Sequence, residues 1–117
     1  MAIPVKSLCI VAFLVAFALF NNGANAAGEC GKQTADQVAQ NMQACSPASQ
    51  SADAAVSAEC CALAAKMVDN PQCMCAVAYS DTVRASGGKP ENALSIPKRC
   101  GLANRPAGQK CGAVAIP

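Results

Sequence analysis

The chain has 117 residues, nine Lys and Arg against seven Asp and Glu, no His and no Trp, for a formal net charge of +2. That balance, with one Tyr and three Phe as the aromatic complement, excludes a nucleic-acid partner, because phosphate binding needs a clustered basic face and base stacking needs rings. Without His, and with its carboxylates scattered, the chain offers no nucleophile–base pair for an enzyme, and the length fits one domain.

The N-terminal stretch reads as a secretory leader over residues 1–26. Lys6 gives a positive start, and Leu8 to Phe20 form an unbroken apolar run of thirteen residues, too short to span a bilayer. Ala24-Asn25-Ala26 follows with the small residues a leader peptidase requires, so cleavage is expected after Ala26. The remaining domain, 27–117, loses Cys9, Phe13, Phe17 and Phe20 with the leader and keeps Tyr79 as its aromatic. Its net charge falls to about +1 with Lys6 gone. Eight cysteines remain, an even number in an exported chain, and are expected to be oxidised. A domain of this size has little apolar area to bury, and each bridge adds roughly 2–4 kcal/mol by restricting the unfolded chain.

The elements predicted along this domain are helical, and no run alternates in the manner of a strand. Thr34 and Gln37 make a capping box that starts a first helix. Ala35, Val38, Met42 and Cys45 then share its inward face. Ser46 to Ser51 reads as a loop, with Pro47 disfavouring helix at Ser46. A second helix is under way by Ala58, with Cys60, Leu63, Ala64 and Met67 on one stripe and Cys61, Ala65 and Val68 on another, so two sides are expected to be buried. Asn70-Pro71 caps and opens a third helix, which carries Cys73, Met74, Cys75 and Val77 and runs to Ser86 before Gly87-Gly88 ends it. Pro90-Glu91 opens a short fourth helix through Ala93, Leu94 and Ile96, limited by Pro97. From Gly101 to Pro117 the chain reads as irregular, tied down by Cys100 and Cys111.

The cysteine order is the most informative feature: Cys30, Cys45, the doublet Cys60-Cys61, the Cys73-Met74-Cys75 triplet, Cys100 and Cys111. On a helix Cys60 and Cys61 project about 100° apart, and Cys73 and Cys75 about 200° apart, so each pair should tie its helix to two different partners. A thiolate zinc site competes poorly in an oxidising compartment, and neither a metal nor a cofactor is expected.

This order, with its gaps, resembles the eight-cysteine motif of plant non-specific lipid-transfer proteins, within the group that includes the amylase/trypsin inhibitors and seed albumins. The resemblance covers Cys30 to Cys111. Ile96 to Pro106 is similar to the subgroup related to the systemic-resistance lipid-transfer protein. It implies an all-α fold, a four-helix right-handed superhelix stapled by four disulfides around an apolar cavity, with an irregular C-terminal segment. Because the residue between the CxC cysteines, Met74, is apolar, the resemblance further implies the pairs Cys30–Cys73, Cys45–Cys60, Cys61–Cys100 and Cys75–Cys111.

The function so implied is that of a secreted, monomeric carrier in the cell wall or apoplast, which binds a fatty acid, lysolipid or phospholipid and touches membrane surfaces transiently. Candidate cavity residues are Val38, Met42, Leu63, Met67, Val77, Leu94, Ile96, Leu102, Val114 and Ile116. Methionine suits a site that accepts varied chains. Arg84, Lys98, Arg99 and Arg105 are candidates for meeting an anionic head group, with Tyr79 as the available phenol, and Gly112 to Pro117 is apolar enough for a lid. Amylase or protease inhibition is the alternative within the same group, although Ser46 to Ser51 carries no Lys or Arg for trypsin. A membrane-active defence role is weakened by the low charge.

Overall fold

Polar side chains at the turns set where each helix begins. In the computed structural model, which describes residues 28–117, Thr34 Oγ1 accepts from the Gln37 amide at 3.1 Å while Gln37 Oε1 accepts from the Thr34 amide at 2.9 Å. This capping box starts α1 (Ala35–Asn41). Ser57 caps α3 (Ala58–Met67) by accepting from the Cys60 amide, and Asn70 caps α4 (Pro71–Ala78) by accepting from the Cys73 amide. The leader expected over 1–26 and its cleavage site lie outside the described residues.

Among the described residues there are four helical regions, and three of them are broken at points where the sequence pattern reads as continuous helix or as loop. Ser46 to Ser51 is not a loop: a 3-10 turn at Gln43–Cys45 leads into α2 (Ser46–Gln50). Pro47 is the cause of both features. In one uninterrupted helix its ring would press on the Gln43 carbonyl, whereas in the first turn of a new helix its missing N–H goes unneeded. The third region does not run to Ser86 as one helix. It stops at Ala78 and restarts as α5 (Asp81–Ala85), because Ser80 Oγ donates to the Val77 carbonyl at 2.7 Å and accepts from the Val83 amide at 3.3 Å, closing one helix and capping the next. In the fourth region, α6 (Pro90–Leu94) is followed by α7 (Ile96–Arg99), so Pro97 opens a helix instead of limiting one. The C-terminal segment also contains a two-residue hairpin, β1 (Lys110–Cys111) paired antiparallel with β2 (Val114–Ala115), where no strand was expected.

The four disulfides among the described residues tie every region to another. Cys30–Cys73 holds the N-terminal segment on α4, Cys45–Cys60 joins the 3-10 turn to α3, Cys61–Cys100 joins α3 to the end of α7, and Cys75–Cys111 joins α4 to the hairpin. Their Cα separations of 4.7 to 5.5 Å are ordinary for such bridges. Adjacent cysteines therefore pull in different directions, which lets short helices wrap one another without long apolar faces. The expectation that α3 is buried on two sides holds only in part, since Ala65 is exposed.

Among the described residues, apolar side chains collect in three clusters instead of one continuous core. Val68, Met74, Ala78, Leu94, Cys111 and Ile116 form one beneath the C-terminal segment. Cys45, Ala48, Cys60, Ala64 and Ile96 form a second between α2, α3 and α7. Ala39, Cys73 and Val77 form a third, where α1 crosses α4. Most of these residues are small, and what lies between the clusters positions the site.

Candidate functional site

A cavity of about 300 Å³ opens where the three clusters meet. Its deep wall is apolar: Met42 at the end of α1, Met67 on α3, Met74 and Val77 on α4, and Ile96 and Pro97 on α7. Space remains because Ala39, Ala64 and Ala93 also face it and reach no further than Cβ, while Cys45–Cys60 fixes the spacing of two adjoining walls. An apolar hollow in a core ordinarily costs stability through lost contacts. Here covalent bridges hold the frame, so the helices need not collapse onto one another. The volume lies at the lower end of the range for ligand pockets, which are characteristically apolar with a few converging polar groups.

Those polar groups sit along one rim. Gln43, Ser46 and Ser49 come from the 3-10 turn and α2, and Thr82 and Ser86 from α5 and its end. The rim is braced at several points. Asp36 Oδ1 on α1 accepts from both the Thr82 amide at 3.0 Å and the Thr82 hydroxyl at 2.8 Å. These bonds hold the Asp36 carboxyl below its ordinary pKa of 3.8, the backbone bond contributing more than the hydroxyl. Across the rim, the Gln50 amide donates to the Ser86 carbonyl at 2.6 Å, and the Lys89 amide to the Ser49 carbonyl at 2.9 Å. Gly88 makes this approach possible: a Cβ there would lie 2.6 Å from Val83 Cγ1 and 2.8 Å from Ser49 Oγ.

Of the candidate residues from the sequence, Met42, Met67, Val77 and Ile96 line this cavity. The other six stand elsewhere. Leu94 and Ile116, each 1% exposed, fill the C-terminal cluster, with Leu102 and Val114 packed at its margin. Val38 rests against the α1–α4 cluster, and Leu63 is half-buried on α3 outside all three clusters. Periodicity marks which face of a helix turns inward, but it does not separate residues that meet other side chains from residues that meet a void.

The head-group candidates are also placed away from the cavity lining, for reasons visible in their hydrogen bonds. Arg99 spends its guanidinium on the carbonyls of Ala48, Ser51 and Ala54, fastening the 51–57 loop. Arg105 donates to the Leu102 carbonyl at 3.0 Å and to the Pro117 carbonyl at 2.9 Å. Tyr79 donates its hydroxyl to the Cys111 carbonyl at 2.8 Å, on a shallow, solvent-open groove next to the hairpin. Arg84 projects from α5 toward solvent, 3.5 Å from Asp81, and Lys98 is exposed on α7. The C-terminal stretch Gly112 to Pro117 packs over Leu94 through Ile116 and does not border the cavity.

The sequence pattern does not single out Met74, the three alanines, Val83, Pro97 or the polar rim as site residues. Met74 had a signal, standing three residues before Val77 on the same helical face. Ser46 and Ser49 carry none, because Pro47 reads from sequence as the mark of a loop.

A family model described as probable lipid transfer matches residues 10–111. No curated protein and no solved structure matches the chain. Running from within the N-terminal apolar stretch to the last cysteine, the match takes in every helix and every bridge described above, and the chain belongs to the probable lipid transfer family.

Proposed function

We propose that this protein is a secreted, monomeric carrier that takes one acyl chain into the cavity between α1, α3, α4 and α7 and delivers it between membranes or to extracellular surfaces. The observation that carries this reading is the apolar hollow itself, with three methionines in its wall and a polar rim at one side. A chain entering it leaves water at roughly 0.8 kcal/mol per methylene in gross terms. The cost of ordering the ligand and the side chains reduces the net, so a dissociation constant of order micromolar is expected. Methionine walls fit varied chain lengths, because the thioether side chain is flexible and polarizable.

Export follows from the leader and from the bridges, which need an oxidising compartment. With a net charge of about +1 after leader removal, contact with a membrane surface is brief. The resemblance of Ile96 to Pro106 supports membership of the systemic-resistance subgroup.

The test is displacement of a fluorescent fatty acid by unlabelled fatty acid and lysolipid, run beside inhibition assays with an amylase and with trypsin. Saturable displacement with both enzymes uninhibited is the expected result. Inhibition of either enzyme at stoichiometric concentration, with no displacement, would replace the carrier by the inhibitor reading.

A further inference from the structure

We infer that the rim of this cavity selects a chain ending in an uncharged hydroxyl group, as in a long-chain primary alcohol or a monoacylglycerol, over one ending in a carboxylate or a phosphate. The inference rests on the carrier reading and narrows its ligand class.

The argument starts from the protons on the rim. A serine or threonine hydroxyl has one proton to donate and two lone pairs to accept with. Ser49 Oγ lies 2.8 Å from the Ser46 carbonyl, Ser86 Oγ 2.7 Å from the Val83 carbonyl, and Thr82 Oγ1 2.8 Å from Asp36 Oδ1. Carbonyl and carboxylate oxygens cannot donate, so the hydroxyl is the donor in each pair and its proton is committed to the protein. What these three groups offer a ligand is lone pairs. An ionised carboxylate or phosphate ester is itself acceptor-only and finds no match in them, whereas an alcohol donates to them. Ser46 Oγ, which accepts from the Gln50 amide at 3.4 Å and keeps its own proton, and Gln43, with both amide functions at the exposed edge of the rim, pair with either kind of ligand and do not discriminate.

Charge points the same way. The Asp36 carboxylate stands directly behind Thr82 and repels an anion brought to that hydroxyl. Among the described residues, neither Lys nor Arg lines the cavity. Arg84, on the same helix as Thr82, faces Asp81 and donates to the Tyr79 carbonyl at 3.3 Å. Lys89 is exposed beyond Gly88, outside the lining. Ser49 lines the hollow at only 5% exposure with its proton on the Ser46 carbonyl, so this selecting group lies inside the mouth and is not rinsed by bulk water.

The experiment uses one chain length with four termini: tetradecanol, monomyristoylglycerol, myristate and tetradecyl phosphate, each competing for the same fluorescent probe at mildly alkaline pH, where myristate and the phosphate are ionised and carry no hydroxyl proton to donate. The two hydroxyl-ended ligands are expected to displace at roughly tenfold lower concentration than the two anionic ones, as expected when a buried acceptor is matched in one case and left facing another acceptor in the second. Tetradecanol and monomyristoylglycerol also separate a simple alcohol site from one that needs the glycerol ester. In a second arm, Ser86→Lys places an ammonium at the exposed end of the rim, and the ratio of myristate to tetradecanol affinity is expected to rise about tenfold. Myristate binding as tightly as tetradecanol, or an unchanged ratio in Ser86→Lys, overturns the selection while leaving the carrier standing. Failure of all four ligands to displace the probe removes both.

Discussion

The two ends of the domain are built on different principles. At the C-terminal end, the chain is sealed: Ile116 is 1% exposed against Leu94 and Met74, Cys75–Cys111 fixes the hairpin to α4, and the Tyr79 hydroxyl and the Arg105 guanidinium hold its backbone. At the cavity rim, where α1 and α2 meet α5, contacts are made by polar side chains, Asp36 to Thr82 and Gln50 to the Ser86 carbonyl, beside an apolar hollow. Sealing one side with sulfur and aliphatic packing lets the other remain lightly tied and serve as an entrance. Stability and binding should therefore separate under mutation, one responding to the sealed end and the other to the rim.

The largest effect is expected at the seal. Replacing Cys75 and Cys111 together by Ala removes a cross-link spanning 36 residues, and the urea unfolding midpoint should fall by the equivalent of roughly 2–4 kcal/mol. Ile116→Ala should cost roughly 2–4 kcal/mol in the same measurement, because a fully buried side chain is lost into a frame that cannot close over the gap. Both variants change the seal without touching the cavity lining.

At the cavity the order reverses. Ala64→Leu puts a larger side chain into the hollow, so probe binding should weaken by about tenfold or more, while unfolding stability moves by about 1 kcal/mol or less because the added methyl groups meet existing space instead of overpacking. A loss of stability as large as that of Ile116→Ala would mean that the hollow is filled by neighbouring side chains in solution.

Smaller still is the effect of acid on the rim. Thr82 stabilises the ionised form of Asp36, whose pKa is lowered from 3.8, so this contribution is complete above that value and is lost as the pH falls below it through the folded-state pKa. Between neutral pH and about pH 2, the wild type should therefore lose more stability than Asp36→Asn, as read from paired urea titrations at each pH. The smallest effect belongs to Arg84→Ala, on an exposed Asp81–Arg84 pair, where a change below about 0.5 kcal/mol is expected.

The same contrast explains what could be read from the chain alone. Capping residues at Thr34 and Asn70, the alanine-rich stretches and the cysteine order made the helical class and the four regions legible, because each signal acts over a few neighbouring residues. The breaks were harder. Pro47 and Pro97 signal an end and a beginning equally well, and only the packing of α2 on α6 and of α7 on α3 decides between them. At the site, Met42, Met67, Val77 and Ile96 were legible as inward-facing, but Leu94, Leu102, Val114 and Ile116 carry the same signal and fill the sealed end instead. The rim was least legible, since serine and threonine become a site only when α2 and α5, about thirty-five residues apart in the chain, are brought face to face. Arg99 shows the reverse error: a cation that looks available in sequence is consumed by the Ala48 carbonyl of α2 and the Ser51 and Ala54 carbonyls of the loop after it, which ordinary periodicity cannot place.

The most direct test of a lipid-filled hollow is the environment of Met42, Met67 and Met74, whose side chains all line it. With these methyl groups isotope-labelled and a saturating myristoyl-chain ligand added to the oxidised protein, nuclear Overhauser contacts are predicted between the methionine methyls and the ligand's methylene protons, with none to Ile116. Unchanged methionine methyl resonances under ligand saturation, or contacts confined to Ile116 and Val114, would contradict it.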